Sequence, residues 1–160
     1  MRKNIIGHRA GGTGTAPLVE EEWLDLSPLA RVEVTSEDPE HPVESVFNFG
    51  KGPGWRASEG GPQTIRVIFD QPQRLKRIWL RFVEAEKQRT QEFTLRWSGD
   101  PAPALREIVR QQWNFSPDSS PVEVEDLRVD LSGVSVLELN IKPDIGNNRA
   151  VATLAEWRVV

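Results

Sequence analysis

The chain has 160 residues, 38% hydrophobic and 28% charged, a balance that fits one folded domain with its own core and excludes a disordered polypeptide. A formal net charge of −4 argues against bulk attraction to phosphate backbones or anionic membranes, while leaving room for a local basic patch. The lack of cysteine excludes disulfides, thiol nucleophiles and Cys-ligated metal centres.

Residues 1–16 are polar, with Gly11-Gly12-Thr13-Gly14-Thr15 near their middle, and read as a flexible arm before a single domain over 17–160. No strand precedes these glycines and no Lys-Ser/Thr follows them, so they do not read as a phosphate loop. The charged start lacks the apolar run of roughly 7–15 residues that a signal peptide needs. No stretch approaches the ~20 apolar residues of a membrane span. The expectation is a cytoplasmic chain.

Residues 17–30 place Leu18, Trp23, Leu24, Leu26 and Leu29 around Glu20-Glu21-Glu22, as a helical turn or as a strap laid on the domain. After Arg31 the pattern changes to period two. Ile65, Val67 and Phe69 alternate with polar neighbours, as do Ile78, Leu80 and Phe82, then Phe93, Leu95 and Trp97. Leu127, Val129 and Leu131 follow, then Leu137, Leu139 and Ile141, and the chain closes on Ala155, Trp157 and Val159. Breaks fall at Asp70-Gln71-Pro72, Ser98-Gly99-Asp100-Pro101, Ser116-Pro117-Asp118 and Ser132-Gly133. Short strands at this spacing, without helical periodicity between them, predict an all-β antiparallel sandwich of jelly-roll type. Six tryptophans and no tyrosine fit an aromatic core with one or two rings left for a ligand.

The order of segments carries a resemblance. Val34-Thr35-Ser36 is followed by a polar loop, then Val46-Phe47-Asn48 leads into Gly54-Trp55-Arg56-Ala57. Residues 63–69, the strand Phe93-Thr94-Leu95-Arg96-Trp97-Ser98, residues 137–143 and Ala155-Glu156-Trp157 complete the set. From about Ala30 to Val160 the chain resembles the discoidin, or coagulation-factor type C, domains of the galactose-binding-like superfamily. That resemblance implies a non-catalytic binding module whose ligands include glycans, lipid headgroups, proteins or DNA. It also implies a structural calcium held by an Asp-Gly loop and a glutamate of the last strand. Glu156 matches that glutamate, but loop 48–54 carries Lys51 and no carboxylate, so no cofactor is expected.

Antiparallel parity puts loops 84–90, 114–121 and 142–149 at one end of such a sandwich. They carry Arg89, Asn114, Asp144, Asn147, Asn148 and Arg149, with Trp113 at a strand exit beside them, the planar polar and aromatic groups that suit a carbohydrate. Sugar-binding relatives use these loops, so the resemblance implies ligand contacts at Arg89 and Asn114. The plainer alternative is solvated loops in which Asn and Asp make turns.

A second candidate is the strand face of Arg77, Trp79 and Arg81, with Arg66 and Arg96 on segments expected beside it, suited to nucleic acid or a protein partner. Its plain alternative is a Trp79 covered by the 17–30 strap and framed by arginines. The run 36–44 gathers four carboxylates around His41, either a hard-cation site or a solvated loop. Neither His8 nor His41 sits in a catalytic motif, so no enzyme is expected. The leading reading is a carbohydrate-binding module, and the alternative an intracellular protein- or DNA-interaction module.

Overall fold

Ten strands follow one another in the computed structural model, which describes residues 7–9, 18–20, 23–99 and 103–160. They are β1 (Gly7–Arg9), β2 (Leu18–Glu20), β3 (Ala30–Val34), β4 (Trp55–Gly60), β5 (Gln63–Val83), β6 (Arg89–Gly99), β7 (Arg106–Phe115), β8 (Val122–Lys142), β9 (Val151–Leu154) and β10 (Glu156–Val159). A 3-10 helix spans Val43–Phe47.

The organising elements are β5 and β8, each 21 residues long and antiparallel to one another throughout. The sequence suggested breaks at 70–72 and 132–133. Instead both strands run through these positions, and the register shifts between Ile68 and Arg77. Irregular pairing of this kind bends and twists a strand pair. The first half of β5 pairs with β3 and the second half of β8, which continues to β6 and β7. The second half of β5 pairs with β10 and the first half of β8. A single antiparallel sheet, ordered β10-β5-β8-β6-β7 with β3 also on β5, thus folds into both layers of a sandwich. At the bend the Gly133 carbonyl lies where a Cβ of residue 99 would stand, so only glycine fits at Gly99.

The alternation read from sequence sets the core. Ile65, Val67 and Phe69 face inward from one layer, and Leu75, Ile78, Leu80 and Phe82 from the other, all buried. Phe82 and Phe93 meet across the layers with ring centroids 5.2 Å apart, and Phe47 meets Trp157 at 5.7 Å. Rings of this size contribute about 1.5–3 kcal/mol each on burial.

Among the described residues of 17–30 the extended strap is observed. Trp23 and Leu26 are buried, and the Leu24 N–H donates to the Val159 carbonyl at 2.9 Å. Gly7 of β1 pairs with Glu20 of β2, and Arg9 with Leu18. The glycine run 11–15 lies outside the described residues.

Candidate functional site

Because β5 and β8 fold back on themselves, both ends of β5 come to one end of the sandwich, and the loops following β5, β7 and β8 gather there. Backbone bonds stitch them: the Glu84 N–H donates to the Pro121 carbonyl at 2.8 Å, and the Ile145 N–H to the Thr90 carbonyl at 2.8 Å. The loop end expected from strand parity therefore exists.

Arg89 is the knot of this end. Its Nε donates to Glu84 Oε1 at 2.7 Å, and its Nη1 to the Pro143 carbonyl at 2.7 Å and Gln91 Oε1 at 3.2 Å. Its guanidinium also stacks 4.6 Å from the Phe115 ring centroid. Only 4% of the residue is exposed. Burial alone would raise the Glu84 carboxyl. The hydrogen bond from Arg89, the N–H groups of Glu86 and Lys87, and the charge of Arg89 outweigh it and hold Glu84 below the usual range. Behind Arg89, Gln91 Nε2 donates to Glu123 Oε1 at 3.1 Å. Burial, together with Glu125, pushes the Glu123 carboxyl up to about 8.

Above Arg89 opens a cleft of about 260 Å³, between residues 87–89 and residues 144–150. Lys87, Gln88, Asp144, Asn147 and Arg149 line it. Turn bonds fix its far wall: Asp144 Oδ1 accepts the Gly146 N–H at 3.1 Å, and Asn147 Oδ1 accepts the Arg149 N–H at 2.9 Å. The Arg149 carbonyl lies 2.6 Å from where a Cβ of Gly60 would stand, so Gly60 lets this wall sit close on β4. A smaller hollow of about 50 Å³ shares Lys87, Arg89 and Arg149 with the cleft and adds Arg56, Glu84 and Glu86. Arg56 points outward because its neighbours Trp55 and Ala57 point into the core.

Four of the seven residues read from the sequence, Arg89, Asp144, Asn147 and Arg149, thus line one cleft. Asn148 lines a separate hollow beside Pro62 and Ile145. Trp113 and Asn114 line neither. Trp113 is half-buried, with its indole N–H on the Ser120 carbonyl at 3.4 Å. Asn114 pairs with Thr90 and accepts its hydroxyl at 2.7 Å on the outer face, whereas Arg89 turns inward. Arg89 and Asn114 therefore do not converge on one ligand. Arg56 and Lys87 were missed, although the alternation around Trp55 carried the signal for the first.

Glu156 takes a different partner from the calcium that the resemblance implied. Arg81 Nε and Nη2 donate to its Oε1 at 2.9 and 2.6 Å, and Arg158 Nε and Nη2 to its Oε2 at 3.0 and 2.6 Å. With two guanidiniums on two oxygens, the carboxylate has neither charge nor lone pairs directed at a cation. In the 36–44 run, Glu37 accepts the Val43 N–H and Asp38 the Glu40 N–H, and no cluster of metal-ligating side chains occurs among the described residues.

The basic strand face is corrected in two respects. Arg77 is buried and donates twice to Asp126 at 2.7 Å, and Arg81 belongs to Glu156. The strap's Trp23 lies over Arg77, and Arg158 over Trp79. Arg66 and Arg96 sit on the outer face of the other layer, around Glu138. The five groups do not form one surface.

No known family's model matches the chain, and no curated protein matches it. Solved structures do. A family 32 CBM from C. perfringens NanJ in complex with galactose superposes with a TM-score of 0.61 at 14% identity, covering 86% of this chain and 96% of that one. The CBM32 of AlyQ in complex with 4,5-unsaturated mannuronic acid gives 0.60 at 14% identity, covering 88% and 98%. A pectin-binding carbohydrate binding module gives 0.60 at 17%, covering 82% and 89%. The likeness shows the fold, the all-β antiparallel sandwich expected from the sequence.

Proposed function

We propose that the chain is a non-catalytic carbohydrate-binding module that takes its ligand in the cleft between residues 87–89 and 144–150. The observation that carries this reading is the convergence of polar groups on one concavity. Arg149 offers a planar fork of donors, Asn147 an amide, Lys87 an ammonium and Asp144 an acceptor, on a wall fixed by turn bonds. Such groups satisfy vicinal hydroxyls, which both donate and accept. The solved neighbours include modules bound to galactose and to an unsaturated mannuronic acid, on the same fold. Catalysis finds no support in the cleft. Asp144, the carboxylate of the cleft, accepts the Gly146 N–H, and Glu84 of the adjoining hollow is committed to Arg89 and held ionised, the wrong state for a general acid.

Calorimetric titration against a panel of neutral and acidic oligosaccharides tests the proposal. Arg149→Ala is expected to weaken the binding found by about tenfold, the loss of one or two hydrogen bonds to the ligand. Its melting temperature should stay unchanged, since the side chain is exposed. A panel without any binder, or binding indifferent to Arg149→Ala and Lys87→Ala, overturns it.

A further inference from the structure

We infer that the carbohydrate is anionic, and that Arg56, Lys87 and Arg149 grip its carboxylate or sulfate group; this rests on the cleft being the glycan site. The sequence holds more acids than bases, and most arginines are paired. Arg81 and Arg158 share Glu156, Arg66 and Arg96 share Glu138, Arg77 takes Asp126, Arg74 takes Asp130, and Arg110 takes Glu92 and Glu107. Arg56, Lys87 and Arg149 have no such partner among the described residues, yet they come from three different elements to one hollow. Lys51, Lys76 and Arg128, for which no acidic partner is found among the described residues either, line neither the hollow nor the cleft.

Size and charge agree. The hollow of about 50 Å³ is small for a sugar ring but suits one oxyanion, a water's share of liquid volume being about 30 Å³. The adjoining cleft of about 260 Å³ has room for the ring that carries it. Four cations line the hollow against two carboxylates, Glu84 and Glu86, and Arg89 already neutralises Glu84. Unlike the sheet-face arginines, these cations have charge to spend on a ligand.

The test is calorimetric titration with trigalacturonate, its fully methyl-esterified form, a neutral galactotriose and a sulfated galacto-oligosaccharide, at low and high salt. The expected result is binding of an acidic sugar at least tenfold tighter than its neutral counterparts, an advantage that added salt erodes by screening. The carboxylate and sulfate arms identify which anion is preferred. Arg56→Gln, Lys87→Gln and Arg149→Gln should each remove about tenfold of that affinity, while Lys76→Gln and Arg128→Gln leave it intact. Equal binding of acidic and neutral sugars, still lost on Arg149→Gln, overturns the anionic class and leaves glycan binding standing. Binding of none of the sugars overturns both.

Discussion

Two regions of this molecule are rich in arginine, and they use it in opposite ways. On the outer face of the layer formed by β10 and the second half of β5, Arg77, Arg81 and Arg158 each donate two bonds to a carboxylate. At the loop end, Arg56, Lys87 and Arg149 surround a hollow without an acidic partner of their own. Sequence composition weighs the two alike. What separates them is pairing: a cation bound to a buried carboxylate holds the fold, and one left facing a cavity is free to recognise.

The largest effect should come from breaking the sheet-face lattice. Glu156→Ala leaves Arg158, only 9% exposed, as an unpaired buried charge and also frees Arg81. Removing one member of a buried pair costs about 3–5 kcal/mol, so chemical denaturation should show a loss of that order. Millimolar calcium should not raise the melting temperature of the parent protein, because the guanidiniums already hold both oxygens. A rise of several degrees, reversed by chelator, would mean that calcium displaces them.

Arg89 belongs to both regions, buried like the lattice and placed under the cleft. Arg89→Ala should cost about 2–3 kcal/mol, through the orphaned Glu84 carboxylate and Pro143 carbonyl, and weaken ligand binding by loosening the loops. Arg149→Ala should lower affinity alone. If Arg89→Ala lowered affinity with stability intact, its guanidinium would be a direct contact and not the knot beneath the site.

A smaller, pH-dependent effect is expected at Glu123, behind Arg89. Its folded carboxyl is raised from 4.5 to about 8, chiefly by burial, so the native state holds the proton more tightly than the unfolded chain. This contribution is complete below about pH 4.5 and is lost as the pH rises through about 8. Glu123→Gln should therefore match the parent near pH 5 and melt several degrees higher near pH 9. An unchanged difference across that range in paired thermal scans would show that Glu123 does not titrate there.

Much of this contrast was legible before the structure, and the remainder depended on pairing. Period-two alternation located the inward sets Ile65-Val67-Phe69 and Ile78-Leu80-Phe82, and parity gathered the three loops. The same alternation, run backward from Phe93, turns Gln91 and Arg89 inward, and run backward from Phe115 it turns Asn114 outward. The resemblance obscured that step. Breaks at 70–72 and 132–133 misled because a bent strand and two strands joined by a turn share Gly, Pro and Asp signals. Of the two partners of Glu156, Arg158 lies two positions along the same strand, but Arg81 was out of reach, since it lies 75 positions away and meets Glu156 only through the β5–β10 register.

The smallest effect is expected at Asn114, where the sequence placed a ligand contact. Its side chain is exposed, lies on the outer face opposite Thr90, and makes one bond, accepting the Thr90 hydroxyl at 2.7 Å. Losing an exposed hydrogen bond of this kind costs about 0.5 kcal/mol or less. Asn114→Ala should therefore change neither the melting temperature by more than about 2 °C nor the glycan affinity by more than about twofold. The pairing of Arg89 with Phe115, and of Thr90 with Asn114, keeps Asn114 on the face opposite Arg89. A tenfold loss of affinity in Asn114→Ala, with stability intact, would place the ligand over the rim of the β6–β7 hairpin. The unpaired cations of the loop end would then be bystanders, and the contrast between the two arginine-rich regions would cease to explain recognition.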